Sequence, residues 1–220
     1  MPDWMCVTVA DPVVAIVNTG VGNLFSITRA LEEVGATPRL VSQPAELKAV
    51  DRIVIPGVGA FATTMATFES TGLADALRNF AASDRPILGI CLGMQLLMSA
   101  GYEDGYAKGL EMIAGEAVPL PQRDIHGKQL RVPHIGWSRV LPVEGSTSTS
   151  WPGTQKVPVD VYFAHSFRVN TVSADIVAGV FTYGGHELAG VLRDANLWGV
   201  QFHPERSGPA GLEILRQFTL

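Results

Sequence analysis

Hydrophobic and polar residues follow two different periods along the first half of the chain. Four short runs are apolar and predict buried strands, at residues 13–17, 38–41, 52–55 and 86–90. Between these runs, apolar residues three and four positions apart predict helices at residues 24–34 and roughly 61–80. Strands that alternate with helices are typical of an α/β fold with a doubly wound, largely parallel sheet flanked by helices.

The pattern changes after residue 110, where glycine and proline separate short apolar stretches. This predicts an antiparallel β extension, with strands near residues 114–120, 139–142, 159–164, 176–183 and 188–193. Apolar spacing at residues 211–218 predicts a closing helix. We expect residues 1–220 to form a single domain, with a frayed N-terminus at residues 1–12 and a flexible, low-complexity loop at residues 145–158.

Composition excludes several classes of protein. With 220 residues, 47% of them hydrophobic, the chain can bury a sizeable core. A net charge of −5 and the lack of a long basic run argue against nucleic acid as a partner. No apolar stretch reaches the roughly 18 residues of a membrane span, and the N-terminus does not resemble a secretory signal. We therefore expect a cytoplasmic protein that does not associate with membranes.

The sequence shows no pattern that predicts a bound metal or cofactor. Its two cysteines, Cys6 and Cys91, do not form a C-x-x-C pair, and its histidines lack metal-ligand spacing. The segment Gly20-Val21-Gly22-Asn23 lacks the third glycine of a dinucleotide loop, and no Walker lysine follows it. A reducing compartment would keep both thiols free.

The most informative segment surrounds Cys91. An apolar run ends in Gly89-Ile90-Cys91-Leu92-Gly93 and passes into a pattern that predicts an amphipathic helix. This arrangement indicates a nucleophile elbow, in which a sharp turn between strand and helix presents the cysteine. We expect that a Cβ at Gly89 or Gly93 would crowd the turn. An ordinary thiol has a pKa of about 8.5, so little of it is ionised near neutral pH. The positive end of the helix dipole beside the sulfur would favour the thiolate.

A candidate base lies 112 residues further along, in the segment Gln201-Phe202-His203-Pro204-Glu205. Pro204 disfavours helical backbone at His203, so we expect an extended stretch in which His203 and Glu205 point to the same side. The carboxylate would then orient the imidazole, and the imidazole would face the sulfur, as in acyl-transfer triads. The loops at Gly57, Cys91 and His203 all follow short apolar strands, which places them at one edge of the sheet.

The order Cys91, His203, Glu205 resembles that of the class I (triad) glutamine amidotransferases. Three further boxes resemble the glutaminase subunits of imidazole glycerol phosphate synthases: Pro-Gly-Val-Gly at 56–59, Pro-His-Ile-Gly-Trp at 133–137 and Tyr-Phe-Ala-His-Ser at 162–166. The resemblance runs from about residue 13 to residue 218. It implies hydrolysis of L-glutamine through a Cys91 thioester, with ammonia passed through a channel to a cyclase subunit of (β/α)8 fold in a heterodimer.

An oxyanion hole is needed, because thiolate attack on glutamine places negative charge on oxygen. Elbow geometry assigns one backbone N–H to Leu92. The second donor is expected in the loop Gly57-Val58-Gly59, whose glycines allow unusual backbone conformations. The resemblance implies that a peptide of this loop reorients when the partner's substrate is bound, and we expect the Gly57–Val58 peptide to do so.

The resemblance also implies residues for substrate and partner. Gln95, Glu103 and the backbone at Ser166 and Phe167 would bind glutamine, with Glu103 facing its ammonium group. Asn23, Tyr162 and Arg206 would lie at the interface with the cyclase or near the channel mouth. Four positions depart from the family: Arg206 replaces a frequent lysine, Phe167 replaces a common tyrosine, and Asn18-Thr19 replaces Asp-Tyr. We expect His165 to have a structural role.

Two other functions remain open. The chain could be another triad hydrolase, such as the glutaminase of pyridoxal phosphate synthase or a related cysteine peptidase, although the boxes at 133–137 and 162–166 argue against this. It could also be a catalytically silent subunit that regulates a partner. The presence of Cys91, His203 and Glu205 argues against that alternative, because such proteins usually lose the nucleophile.

Overall fold

The computed structural model describes residues 11–20, 24–143 and 157–220. Within these ranges the chain forms five α-helices: α1 Leu24–Glu33, α2 Phe61–Thr71, α3 Leu73–Ala81, α4 Leu92–Leu96 and α5 Gly208–Thr219. Short 3-10 turns lie at Pro44–Ala49, Ala174–Ile176 and Pro204–Arg206. Asn23 and almost all of the predicted frayed terminus and 145–158 loop lie outside the described residues.

The same ranges contain thirteen strands. Those of the first half are β1 Val13–Val17, β2 Thr37–Val41, β3 Arg52–Ile55, β4 Ile87–Ile90, β5 Met98–Gly101 and β6 Ala107–Lys108. Those of the second half are β7 Ile113–Pro119, β8 His134–Pro142, β9 Val159–His165, β10 Phe167–Thr171, β11 Val177–Tyr183, β12 His186–Asp194 and β13 Leu197–Val200.

Nine strands form the main sheet, in the order β2-β1-β3-β4-β13-β12-β11-β8-β9. The first five run parallel and the remaining four are joined antiparallel, so the predicted parallel sheet with an antiparallel extension is confirmed. The chain leaves β1 towards β2 on one side and β3 on the other. This reversal of strand order creates a crevice beyond the carboxyl ends of β1 and β3, where ligands bind in such folds.

A second, four-stranded sheet with the order β10-β7-β5-β6 was not anticipated from the sequence. The predicted strand at 114–120 belongs to this sheet as β7, paired antiparallel with β10 and parallel with β5. Strand β5 has the sequence Met-Ser-Ala-Gly and β6 has only two residues, so neither carries the branched or aromatic side chains that indicate a strand.

Helices cover both faces of the main sheet. Helices α2, α3 and α4 bury Phe68, Leu77 and Met94 against one face. Helices α1 and α5 bury Leu31 and Phe218 against the other. The doubly wound architecture is therefore confirmed, and burying each such side chain contributes about 1.5–3 kcal/mol.

The prediction of a single helix at residues 61–80 is wrong. Gly72 has φ = +75° and separates α2 from α3, and its N–H bonds to the Glu69 carbonyl. Left-handed backbone is accessible to glycine at little cost, so a glycine there ends one helix and lets the next start in a new direction.

Within the described ranges no helix is long and apolar enough to cross a membrane.

Candidate active site

Cys91 occupies a strained turn directly after β4. Its φ of +50° and ψ of −105° lie in a region that non-glycine residues rarely adopt. The Cys91 N–H bonds to the Val200 carbonyl of β13 at 2.7 Å, and the Cys91 carbonyl accepts from Gln95 at 3.2 Å. The strained conformation is therefore held from both sides, as expected for a nucleophile elbow.

Three glycines allow this turn to pack tightly. A Cβ on Gly89 would lie 2.5 Å from backbone atoms of Gly93 on the other arm of the turn. A Cβ on Gly93 would lie 2.0 Å from the Ile55 carbonyl oxygen, so its constraint comes from β3 and not from the turn itself. A Cβ on Gly57 would lie 2.6 Å from the Cβ of Cys91. The loop after β3 thus lies directly against the turn at Cys91.

The helix after Cys91 differs from the prediction. Helix α4 spans only Leu92–Leu96, and all five residues are buried, so it is not amphipathic. It lies between the main sheet and the second sheet, because β5 begins at Met98 and pairs with β7. A short helix enclosed by two sheets has no polar face.

His203 and Glu205 form a pair, but by a different local geometry from the one predicted. His203 is extended, with φ = −101° and ψ = 97°, whereas Glu205 lies within the 3-10 turn Pro204–Arg206. The turn brings the carboxylate back, so that Glu205 Oε1 lies 2.8 Å from His203 Nδ1. The prediction that both residues lie on one extended stretch is wrong. Pro204 occupies the first position of the 3-10 turn, so the extended backbone ends at His203.

The electrostatics of this pair involve Cys91. Burial by itself would lower the pKa of His203, but its hydrogen bonds and charge interactions with Cys91 and Glu205 outweigh burial and raise the pKa to about 10. The imidazole therefore interacts with the sulfur on one side and the carboxylate on the other. Such a site holds a positive imidazolium between two groups that can each be negative.

A cavity of about 350 Å³ opens over Cys91. It is lined by every described residue predicted for the oxyanion hole and for glutamine binding: Gly57, Val58, Gly59, Leu92, Gln95, Glu103, Ser166 and Phe167. Gly59 has φ = +127°, so the loop uses backbone that a side chain would strain. These residues, which span more than 100 positions, are gathered around one sulfur.

A second cavity, of about 450 Å³, lies at the reversal of strand order. His203, Glu205 and Arg206 line it together with residues of α1. Gly57, Val58 and Ala164 line both cavities, so these three residues separate the space over the sulfur from the space beside the carboxylate.

Comparison with known proteins identifies the family. The family model described as glutamine amidotransferase class-I matches residues 15–220. The chain belongs to the class-I glutamine amidotransferases. The imidazole glycerol phosphate synthase subunit HisH 1 of Legionella pneumophila (strain Paris) is 41% identical over 209 residues, which cover 93% of this chain and 97% of the relative. Subunit HisH of Moorella thermoacetica is 40% identical over 206 residues, 93% of each chain.

Solved structures confirm the fold of this amidotransferase. PurLQS from Thermotoga maritima superimposes with a TM-score of 0.72 at 19% identity, covering 94% of this chain and 97% of that chain. The glutaminase domain of Trypanosoma brucei CTPS, bound to acivicin, has a TM-score of 0.63 at 17% identity and covers 94% of each chain. At these identities the similarity supports the fold alone.

The residues predicted to bind glutamine already make contacts inside the amidotransferase. The Gln95 amide nitrogen donates to the Phe167 carbonyl at 3.1 Å and to Gln201 Oε1 at 3.3 Å, which leaves the Gln95 oxygen for a ligand. The Phe167 carbonyl also accepts from His165, so both of its lone pairs are used. Glu103 accepts from the Phe61 N–H at 2.6 Å through one oxygen and lines the cavity.

His165, for which the sequence predicts a structural role, is buried and has a hydrogen-bonding partner at each ring nitrogen. Its Nδ1 lies 2.8 Å from the Phe167 carbonyl and its Nε2 lies 3.2 Å from His134 Nδ1, while His134 Nε2 lies 3.1 Å from Ser138 Oγ. Burial lowers the pKa of His165 to about 4, a shift that the carbonyl contact opposes and that the neighbouring His134 and His203 increase. Burial also lowers the pKa of His134.

Two buried polar residues at the site were not given a role from the sequence. Ser207 donates to the His203 carbonyl at 2.6 Å and accepts from the Tyr162 N–H at 3.0 Å, which ties the His203 segment to β9. Gln201 donates from its amide nitrogen to Cys91 Sγ at 3.6 Å. Gln201 lies two residues before His203, and this spacing was the available signal.

The predicted interface residues that the structure describes lie beside an exposed apolar surface. The Arg206 guanidinium lies over the Tyr162 ring at 4.2 Å, a cation–π contact. Trp137 packs edge-on to Tyr162, with ring centroids 6.1 Å apart, yet remains 59% exposed, and Ile135 is 62% exposed. Large apolar side chains exposed together are typical of a protein–protein contact.

Proposed function

We propose that this amidotransferase is the glutaminase subunit of an imidazole glycerol phosphate synthase. It hydrolyses L-glutamine to glutamate and ammonia, with Cys91 as nucleophile, His203 as base and Glu205 as the group that orients the imidazole. The observation that carries the proposal is His203 lying between Cys91 and Glu205 beside a cavity lined by the glutamine-binding candidates. The HisH relatives, which match along nearly their whole length, support the choice of synthase.

The reaction proceeds in two halves. The Cys91 sulfur attacks the carboxamide carbon of glutamine, and the protonated His203 gives its proton to the departing nitrogen, which releases ammonia and leaves a glutamyl thioester on Cys91. A water molecule then attacks the thioester while His203 accepts its proton, and glutamate leaves as the sulfur is restored. Glu205 keeps the imidazole oriented throughout and stabilises its cation.

Backbone donors complete the site in this proposal. Leu92, the residue after the nucleophile, supplies one N–H to the oxyanion, and the Gly57–Val58 peptide supplies the other. Val58→Pro removes the second donor, and we expect kcat to fall by about 10²–10³. Val58→Ala keeps the N–H and serves as the matched control, with kcat within about threefold of the wild type. A folded Val58→Pro enzyme with unchanged kcat would remove this peptide from the oxyanion hole.

Glutamine would bind through the polar groups of the same cavity. The free Gln95 oxygen and the Glu103 carboxylate are acceptors for the α-ammonium, and N–H groups at Ser166 and Phe167 are donors for the α-carboxylate. We expect Glu103→Ala to raise the KM for glutamine by about tenfold, because a charge-assisted hydrogen bond contributes about 1.5–3 kcal/mol. An unchanged KM would exclude Glu103.

Ammonia would pass to a cyclase subunit of (β/α)8 fold that docks as a heterodimer. There it would help to form imidazole glycerol phosphate and an aminoimidazole carboxamide ribonucleotide in histidine biosynthesis, within the cytoplasm. The exposed Trp137 beside Tyr162 and Arg206 supports docking on this face. The second cavity, lined by His203 and Arg206, gives the product a space between the site and that face.

One experiment separates this proposal from its alternatives. Glutamate release from glutamine is measured with the cyclase subunit and its ribonucleotide substrate present, and again with each omitted. We expect release that increases when both are added and that falls by orders of magnitude in Cys91→Ser. Release that does not respond to the cyclase would favour another triad glutaminase, and a chain without release under any condition would be a silent subunit.

A further inference from the structure

We propose that Gln201 is a positioning residue for the reaction, which holds the Cys91 sulfur through a hydrogen bond from its side-chain amide. The inference rests on the proposed role of Cys91 as nucleophile. Gln201 is fully buried, and its Nε2 lies 3.6 Å from Sγ. The sulfur therefore has two polar side chains facing it from one segment, the imidazole of His203 and the amide of Gln201.

The orientation of the Gln201 amide follows from its neighbours. A backbone carbonyl can only accept, so the Gln95 group that faces the Phe167 carbonyl must be the nitrogen. The same Gln95 nitrogen faces Gln201, so the Gln201 group that meets it must be the oxygen. The Gln201 nitrogen is then left to face the sulfur. If the Gln201 amide were flipped, its NH2 group would face the NH2 group of Gln95, and its oxygen would face the sulfur.

The far end of this network is fixed as well. His165 must carry its proton on Nδ1 to bond to the Phe167 carbonyl, so its Nε2 accepts from His134 Nδ1. His134 Nε2 then accepts from the Ser138 hydroxyl. Both imidazoles are buried and neutral, so each ring has one donor and one acceptor and their order cannot reverse.

The chemical consequence concerns which forms of the sulfur the site favours. A thiolate accepts hydrogen bonds to a negatively charged atom, which are stronger than those to a neutral thiol or thioester sulfur. The Gln201 amide therefore favours the nucleophilic form of Cys91 over its alternatives. It also limits the rotation of the side chain, because Sγ has a donor at a fixed position. No covalent step passes through Gln201.

The test measures the sulfur directly with iodoacetamide, whose iodide the Cys91 thiolate displaces, so that glutamine binding does not enter. The rate of alkylation is followed against pH by mass spectrometry of the peptide that contains Cys91. For Gln201→Met, which keeps length and volume but has no N–H, we expect the midpoint of the profile to move upward by about one pH unit. A residue that only fills space would leave the midpoint in place.

Matched variants sharpen the measurement. Gln217→Met changes a glutamine on α5 whose side-chain amide donates to Glu213 in the same helix, and we expect the wild-type midpoint. Gln95→Met removes the group that orients Gln201, and we expect a smaller upward shift. The double variant Gln95→Met/Gln201→Met should shift no further than Gln201→Met, because the two residues act in one chain.

Each outcome decides the matter. A folded Gln201→Met protein with the wild-type midpoint overturns the inference while leaving the nucleophile in place. If Gln201→Met does not fold, Gln95→Met decides, since an unchanged midpoint there also overturns it. If Cys91→Ser retains glutamine hydrolysis, the proposed function fails instead. The alkylation profiles of the Gln201 variants are a separate readout, because they do not depend on turnover.

Discussion

The two buried histidines near Cys91 have pKa values that are shifted in opposite directions, although the two rings are buried to nearly the same degree. His203 and His165 are 6% and 4% exposed. The pKa of His203 is raised, since its contacts with Cys91 and Glu205 outweigh burial, whereas burial lowers the pKa of His165 to about 4. Similar burial therefore gives opposite pKa shifts, because only His203 has contacts that outweigh it.

The difference lies in the atoms that each ring meets. His203 meets a carboxylate 2.8 Å away, which stabilises a cation. His165 meets a carbonyl at 2.8 Å and a second imidazole at 3.2 Å, and these are satisfied by a neutral ring. The comparison teaches that one site can contain a histidine suited to proton transfer and a histidine suited to support, chosen by their neighbours.

The largest effect is expected when the carboxylate beside His203 is removed. In Glu205→Gln the side chain keeps its shape but loses its charge, so the pKa of His203 falls and the imidazole loses its orienting acceptor. We expect kcat to fall by about 10⁴, as it does in a serine protease triad whose carboxylate is replaced by an amide. Glutamate release gives kcat, and the ¹H NMR titration of the His203 ring checks the pKa.

A matched control for this variant is available in α5. Glu213→Gln removes a carboxylate that pairs with Arg216 on the surface, and we expect unchanged kcat. If Glu205→Gln also retained kcat within tenfold, His203 would act without its carboxylate and the contrast with His165 would have no catalytic meaning.

The second test concerns acid stability. The pKa of His165 is about 4 in the folded protein and about 6.5 in the unfolded chain. As the pH falls below about 6.5, the unfolded chain therefore binds a proton at His165 that the folded protein does not bind. This lowers stability progressively, by up to about 3 kcal/mol at pH 4, and the effect disappears about one pH unit above 6.5. We expect His165→Gln to lack this loss, measured by urea unfolding between pH 7 and pH 4.

The readout is the difference between the two proteins and not the stability of either one. His165→Gln should be the less stable at pH 7, where it has lost a buried contact, and the gap should narrow as the solution becomes acidic. Parallel curves would show that His165 does not resist protonation in the folded state.

The smallest effect is expected at the outer end of the neutral pair. Ser138→Ala removes the donor to His134 Nε2, and we expect a loss of about 1 kcal/mol in the free energy of unfolding. Because His165 keeps its other contacts, kcat should stay within about threefold. Ser70→Ala, an exposed hydroxyl on α2, is the control for stability. A tenfold loss of kcat in Ser138→Ala would show that the pair His134 and His165 also influences the reaction.

Much of the parallel half and of the site follows from local sequence. Strands β1 and β3 match their predicted bounds, because each is a run of mostly apolar residues buried on both faces. The turn at Cys91 could be predicted because the glycines on either side of it are required by contacts within the turn or with the neighbouring strand β3. The pairing of His203 with Glu205 could be predicted from their spacing, although the 3-10 turn that achieves it could not.

The parts that were missed depend on contacts between distant segments. The second sheet joins β10 to β7 and β7 to β5, and nothing in the small residues of β5 indicates this. The contact of Gln201 with Cys91 joins residues 110 positions apart. Likewise, the sequence predicts an amphipathic helix at α4, but all five of its residues are buried. The second sheet, which the sequence does not predict, covers the side that was expected to be exposed.

The missing side chain of residue 57 limits how this protein can change. A single methyl group there would sit 2.2 Å from the Ile90 oxygen and would push on the sulfur-bearing residue. A library of all amino acids at this position should therefore return glycine alone among active clones. New substrate preferences would have to arise elsewhere on the rim, at Glu103 or Ser166, where altering a side chain does not displace the sulfur.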